Sequence, residues 1–242
     1  METIFITGIS KGLGLELTSF LLQNDDYEIY GISRTLSDPL KYLLEKYEGR
    51  LHWKQFDVTN LPEIEEEIFN KFIGTDKAID VFIDNAAVLY KDLIIRIDSD
   101  KMVAMLQTNL VAPVMLSKYV LKNFLRFRTK GCMVHYSSIC AHKGFNGLSM
   151  IGATKGGVEA FSRTLSREYG RYGIRSNVIV IGILDIGMSF TVNEEQRSEI
   201  REMANLKSTT DEQSVIQMTR FLISDAADSI TGKELFVDAG IQ

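Results

Sequence analysis

The chain has 242 residues, 45% of them apolar, and a net charge of −5. That size and apolar content can bury one good core, whereas a mildly acidic balance without a basic stripe argues against a nucleic-acid surface. Two cysteines, Cys132 and Cys140, exclude a disulfide framework, and no apolar run approaches membrane-spanning length. The chain opens directly on a strand, leaving no room for a leader segment, so a cytoplasmic protein is expected.

Short apolar runs alternate with longer amphipathic segments from end to end. In chain order, strands are predicted at Thr3–Thr7, Glu28–Ser33, Leu51–Phe56, Ile79–Ile83, Cys132–Ser137, Ser176–Ile181 and Glu234–Val237. Helices are predicted near Leu13–Gln23, Leu36–Tyr47, Leu61–Phe72, Ser99–Phe127, Ile151–Tyr169 and Asp211–Ile223. Continuous apolar strands separated by helices imply a parallel sheet covered on both faces. Right-handed crossovers make it doubly wound, with ligands at the carboxyl ends of the strands. The expected fold is therefore α/β, a single Rossmann-type domain over 1–242 with a seven-stranded sheet. Residues 185–206 break the rhythm and are expected to form a substrate lid.

Gly8, Gly12 and Gly14 follow the first strand and open the first helix. Backbone N–H groups at such a turn hold a phosphate, provided no Cβ intrudes. The spacing Gly-x-x-x-Gly-x-Gly differs from the older dinucleotide fingerprint. At the end of the second strand a carboxylate would hold a ribose 2′-hydroxyl, but the sequence offers Gly31-Ile32-Ser33-Arg34. Arg34 and Lys11 are cations that can pair with a 2′-phosphate. NADP(H) is the cofactor expected; no metal ligands are assigned.

Thr7-Gly8-Ile9-Ser10-Lys11-Gly12-Leu13-Gly14, Ser137-Ser138, and Ile151-Gly152-Ala153-Thr154-Lys155-Gly156-Gly157 together resemble the short-chain dehydrogenase/reductase family over essentially the whole chain. The likeness is strongest to 3-oxoacyl-carrier-protein and small-ketone reductases. It implies a nucleotide site that includes Ser10, Leu13 and Ser33 with the glycines and cations above. Asp57-Val58 resembles the family's adenine-binding step. Asp84-Asn85-Ala86-Ala87 resembles its Asn-Asn-Ala-Gly motif, so Asn85 and Ala86 join the nucleotide site. Ile181-Gly182 stands where the family has Pro-Gly, and Ile186 where it has a threonine.

The same resemblance implies catalytic roles for Asn109, which anchors a water relay, Ser138, which binds the substrate carbonyl, and Lys155, which binds the nicotinamide ribose. The fourth member of the family's tetrad, a tyrosine four residues before the lysine, is Ile151 here. Tyr90, His142 and Ser149 are candidate replacement proton donors, and Tyr136 faces either the cleft or a helix layer. The implied function is NADP(H)-dependent reduction of a small or carrier-bound carbonyl, or the reverse oxidation, with an atypical proton donor. Two alternatives stand beside it: a dehydratase or isomerase on the same scaffold, and a silent nucleotide-binding homologue acting as partner subunit or sensor. The resemblance also implies that the fourth and fifth helices pair across a two-fold and that a second interface uses the last strand and helix, giving a homodimer or homotetramer.

Overall fold

A computed structural model describes residues 1–184 and 194–241. Seven parallel strands form one sheet in the order β3-β2-β1-β4-β5-β6-β7. They are β1 (Glu2–Thr7), β2 (Tyr27–Ser33), β3 (Leu51–Gln55), β4 (Val81–Asp84), β5 (Cys132–Ser138), β6 (Arg175–Ile181) and β7 (Glu234–Val237). Each expected strand is present, with ends displaced by up to two residues. The helices are α1 (Gly12–Asn24), α2 (Asp38–Lys46), α3 (Ser99–Leu106), α4 (Ala112–Phe127), α5 (Ser149–Tyr169), α6 (Glu194–Met203) and α7 (Glu212–Ile223).

Strand periodicity divides the core in two. Ile4, Ile6, Val81, Ile83, Val134 and Tyr136 point to the face covered by α1, α2 and α7. Phe5, Phe82 and Met133, one residue out of phase, point to α4 and α5. Successive side chains on a strand leave on opposite faces, so a sheet covered on both sides must be apolar throughout. Cys132 is one of these core residues, 3% exposed, and burial pushes its thiol up to about 11.

Two segments depart from the expected helices. Leu61–Phe72 is a 3₁₀ turn at Leu61–Glu63 followed by a π-helical segment at Ile64–Gly74. The long helix at 99–127 contains a π-helical stretch at Gln107–Val111 that separates α3 from α4. Pro113 lies just beyond it and has no N–H for the carbonyl four residues back, that of Asn109. The α-helical ladder therefore cannot run through this point.

Helix starts are written in the sequence by short polar side chains. Ser37 accepts the Leu40 N–H, Asp98 that of Lys101, and Asp211 those of Gln213 and Ser214, satisfying donors that have no partner within the helix. In the expected lid, residues 185–193, including Ile186, lie outside the described residues. The sheet order reverses between β1 and β4, and a cleft opens at the carboxyl ends of these strands.

Candidate active site

Thr7 and Asn85 tie the two strands together where they diverge. Thr7 Oγ1 accepts the N–H groups of Asn85 and Ala86 at 3.0 and 2.9 Å. Asn85 Nδ2 donates to the carbonyls of Thr7 and Gly8 at 2.9 and 3.0 Å. Gly8 has φ +77°, the left-handed region that glycine enters without strain. A Cβ on Gly14 would overlap the Gly8 carbonyl oxygen and Asn85 Nδ2. Gly14 is therefore required for packing beneath the turn, and Lys11-Gly12-Leu13 is left to line the cleft above it.

The cleft has a volume of about 840 Å³. Its walls contain every expected site residue except Gly14 and Asn109: Ser10, Ser33, Arg34, Asp57, Val58, Ala86 and Gly182 are there with the turn residues, Asn85, Ser138 and Lys155. Several are already held in place. Ser33 Oγ donates to the Thr35 carbonyl and accepts the Trp53 indole N–H, and Asp57 Oδ1 accepts the N–H and hydroxyl of Thr59. Ser37 Oγ donates to the Ser10 carbonyl at 2.6 Å, fixing the glycine turn to the start of α2.

On the opposite wall, Ser138 Oγ accepts the Cys140 N–H at 3.2 Å. Lys155 Nζ donates to the Tyr136 carbonyl at 2.7 Å. Lys155 is 8% exposed, and burial holds its pKa below the usual lysine range, opposed by the charges of Asp84 and Glu159. Asp84 is itself buried, with Oδ2 at 3.3 Å from His135 Nδ1. Ile151, one turn before Lys155 on α5, is 7% exposed and lines the same wall.

Because the folded state sheds the Lys155 proton earlier than the unfolded chain does, the unfolded chain binds more protons between the lowered folded-state pKa and 10.5, and this group's contribution to stability rises with pH across that window. Lys155→Met is expected to remove that part of the rise and to stabilise the protein most at neutral pH. Urea midpoints of both proteins between pH 7 and 10 check this; parallel curves would contradict it.

On the helix side of the site, several candidate side chains are engaged in local hydrogen bonds. Asn109 is fully buried and spends its amide on Val88, accepting its N–H and donating to its carbonyl, both at 2.8 Å. Its side chain thus fixes the segment after β4. Tyr136 turns into the α7 layer, where its hydroxyl meets Thr219 Oγ1 at 2.7 Å. Tyr90 donates to Asp92 at 3.1 Å under the Lys101 ammonium. His142 Nε2 lies 3.0 Å from Glu159. Neither Tyr90, His142 nor Ser149 lines the cleft.

Residues absent from the expected set also form walls: Thr108, Cys140 and Asn146, with Glu199 and Met203 of α6. Cys140 and Asn146 fall between Ser138 and Ile151. His142 and Ser149 fall in the same stretch without lining the cleft, so position in the chain alone does not single out Cys140 and Asn146.

A family model described as enoyl-(acyl carrier protein) reductase matches residues 11–242. The chain belongs to the short-chain dehydrogenase/reductase family. Among curated short-chain dehydrogenase/reductase relatives, the 3-oxoacyl-[acyl-carrier-protein] reductase FabG of Chlamydia pneumoniae is 25% identical over 241 residues, covering 99% of this chain and 96% of that protein. Carbonyl reductase family member 4 of Xenopus laevis is 30% identical over 240 residues, covering 98% and 96%. Among solved structures, ElxO with NADP bound aligns with a TM-score of 0.89 at 26% identity, over 99% of this chain and 98% of that one. The family is one of oxidoreductases.

Proposed function

We propose that this protein binds NADP(H) in the β1/β4 cleft and interconverts a carbonyl and an alcohol, with Ile151 in the position of the family's catalytic tyrosine. One observation carries this reading: Ser138, Lys155 and Ile151 share a cleft with the glycine turn and Arg34. The turn fits the cofactor, because Gly8 and Gly14 occupy positions where a Cβ would strike backbone or the Asn85 amide. Lys11 and Arg34 supply cations at the two places where the adenosine phosphates of NADP(H) would lie, with no carboxylate at the end of β2 to repel them. The neighbouring ElxO structure with NADP bound supports the same choice.

When bound, NADP(H) supplies or accepts the hydride. The chain's own task is then to hold the carbonyl oxygen and deliver a proton as negative charge develops there. Ser138, fixed by the Cys140 N–H, is the hydrogen-bond donor to that oxygen. Without a phenol at 151, the Lys155 ammonium on the same wall as Ser138 would carry the proton, passing it through Ser138 or solvent. Tyr90, His142 and Ser149 are not among the residues that line the cleft, which supports a route through Ser138 and Lys155 instead. The substrate is a small or carrier-bound carbonyl compound. Its apolar part would lie against Phe145, Leu148, Ile151 and Leu184, with α6 closing over it as a lid.

The second reading is a silent nucleotide-binding homologue, serving as partner subunit or sensor. It is favoured by the apolar wall that Ile151 forms with Ile181 and Ile183. Both readings take the protein as a cytoplasmic homodimer or homotetramer; no described helix is long and apolar enough to cross a membrane.

Arg34→Glu tests the cofactor. The new carboxylate would repel a 2′-phosphate and offer a partner to a ribose hydroxyl, so NADPH should bind about tenfold or more weakly, a change of about 1.4 kcal/mol or more. NADH should gain. Titration of both nucleotides by protein fluorescence reads the effect, and an unchanged NADPH/NADH ratio would remove Arg34 from the site.

A further inference from the structure

Three side chains from separate parts of the chain converge behind the Ser138 turn. They are His142, just after that turn, Glu159 on α5 and Glu234 at the start of β7, and one ligand atom of each lies within 4.8 Å of the others. His142 Nε2 and Glu159 Oε1 are already 3.0 Å apart. The Phe236 ring packs edge-on against the imidazole at 4.8 Å and holds its plane.

The burial of Glu159 separates this group from an ordinary acidic surface, although His142 is exposed and Glu234 only half-buried. Glu159 is 6% exposed, and its polar neighbours among the described residues are the Ser137 hydroxyl, which donates to it, and His142. Lys155, one turn earlier on α5, donates its hydrogen bond to the Tyr136 carbonyl and acts on Glu159 only through its charge. A carboxylate withdrawn from water needs a close cation or several donors, and the nearby Glu234 carboxylate adds to that need. Arg163 pairs with Glu234 from the solvent side, its own side chain being 59% exposed.

We propose that His142, Glu159 and Glu234 bind one divalent transition-metal ion of the zinc class, with water completing the coordination. One imidazole nitrogen and two carboxylate oxygens form a set that suits such ions, and Zn²⁺ bonds of about 2.0–2.2 Å place tetrahedral ligands about 3.4 Å apart. The His142–Glu159 contact is close to that spacing, and Glu234, on the edge strand, has only a short way to move. Three protein ligands are too few for Ca²⁺, which takes about six to eight oxygens. The ion would clamp the 139–142 turn, whose Ile139 and Cys140 line the cleft, to α5 and to β7. The nucleotide site plays no part in the binding.

Full-length protein freed of metal by chelation, then titrated with ZnCl₂ by calorimetry, is expected to take up about one equivalent per chain. Its Tm should rise by about 5–10 °C at a hundredfold excess over Kd. Glu234→Gln and His142→Phe should each weaken Zn²⁺ binding at least tenfold, whereas His52→Gln and Cys140→Ser should leave it unchanged. Glu234→Gln, nearly isosteric and partly exposed, carries the test if His142→Phe does not fold. Uptake below half an equivalent, binding that survives Glu234→Gln unchanged, or binding lost on Cys140→Ser would each overturn the site.

Discussion

Replacing Ile151 by tyrosine is expected to raise NADPH-dependent ketone reduction by about 10²–10⁴-fold, the range that a positioned general acid contributes. That corresponds to about 3–5 kcal/mol of barrier. The substitution adds a phenol on the cleft wall one helical turn from Lys155, opposite space of about 840 Å³ that can receive the ring. The fold should tolerate it, because Ile151 lies in the first turn of α5 and lines the cleft. Lys155 would then lie where its charge favours the phenolate and lowers the tyrosine pKa. Steady-state reduction of a panel of ketones and ketoacyl thioesters reads the result. An unchanged rate, with turnover already substantial in the unaltered protein, would show that another group donates the proton efficiently. An unchanged rate with no turnover in either protein would favour the silent nucleotide-binding reading.

Gly14→Ala should act on the nucleotide site through packing, with no charge altered. Its Cβ would press against the Gly8 carbonyl oxygen and Asn85 Nδ2. Neither can retreat, since Asn85 Nδ2 bridges the carbonyls of Thr7 and Gly8 at the junction of β1 and β4. Overpacking against fixed atoms destabilises by about 1–3 kcal/mol. For a chain of this length that lowers Tm by about 2–4 °C per kcal/mol, or about 10 °C at the upper end. NADPH affinity should fall with it, because the turn that presents the amides is displaced. Gly156→Ala is the matched control. It is also within a helix, a Cβ there meets nothing within 4 Å, and the better helix propensity of alanine should raise stability by up to about 1 kcal/mol. Thermal melts of the two variants, with and without NADPH, check the contrast; equal effects would contradict the packing account.

Much of this architecture is legible in the sequence because its physics is local and periodic. Seven apolar runs mark seven strands, and the glycines after β1 mark the phosphate-sized turn. Ser138 and Lys155 are readable through their spacing and their resemblance to a known motif, and the structure puts both on one wall. Side-chain direction at a strand end was less legible. Tyr136 and Ser138 share a parity, yet Tyr136 packs its ring with Val134 against α7, while Ser138, the last residue of β5, meets the cleft. The partners of buried polar groups were illegible too. Nothing local shows that Asn109 would spend its amide on Val88, that Tyr90 would turn to Asp92, or that Asp84 would lie beside His135. The cluster of His142, Glu159 and Glu234 depends on three elements meeting in space, and no spacing in the chain announces it.

On the proposed function, nucleotide binding and proton donation are separable in this protein, the first kept and the second altered at position 151. Ile151 lines the cleft but takes no part in the glycine turn or in the Thr7–Asn85 junction that supports it. The most direct test is a fluorescence titration of NADPH into the unaltered protein and into Ile151→Tyr, side by side. Both should bind one NADPH per chain, with dissociation constants that agree within about threefold, a difference under about 0.7 kcal/mol. Failure of the unaltered protein to bind NADPH, or binding that appears only once tyrosine is present, would contradict it.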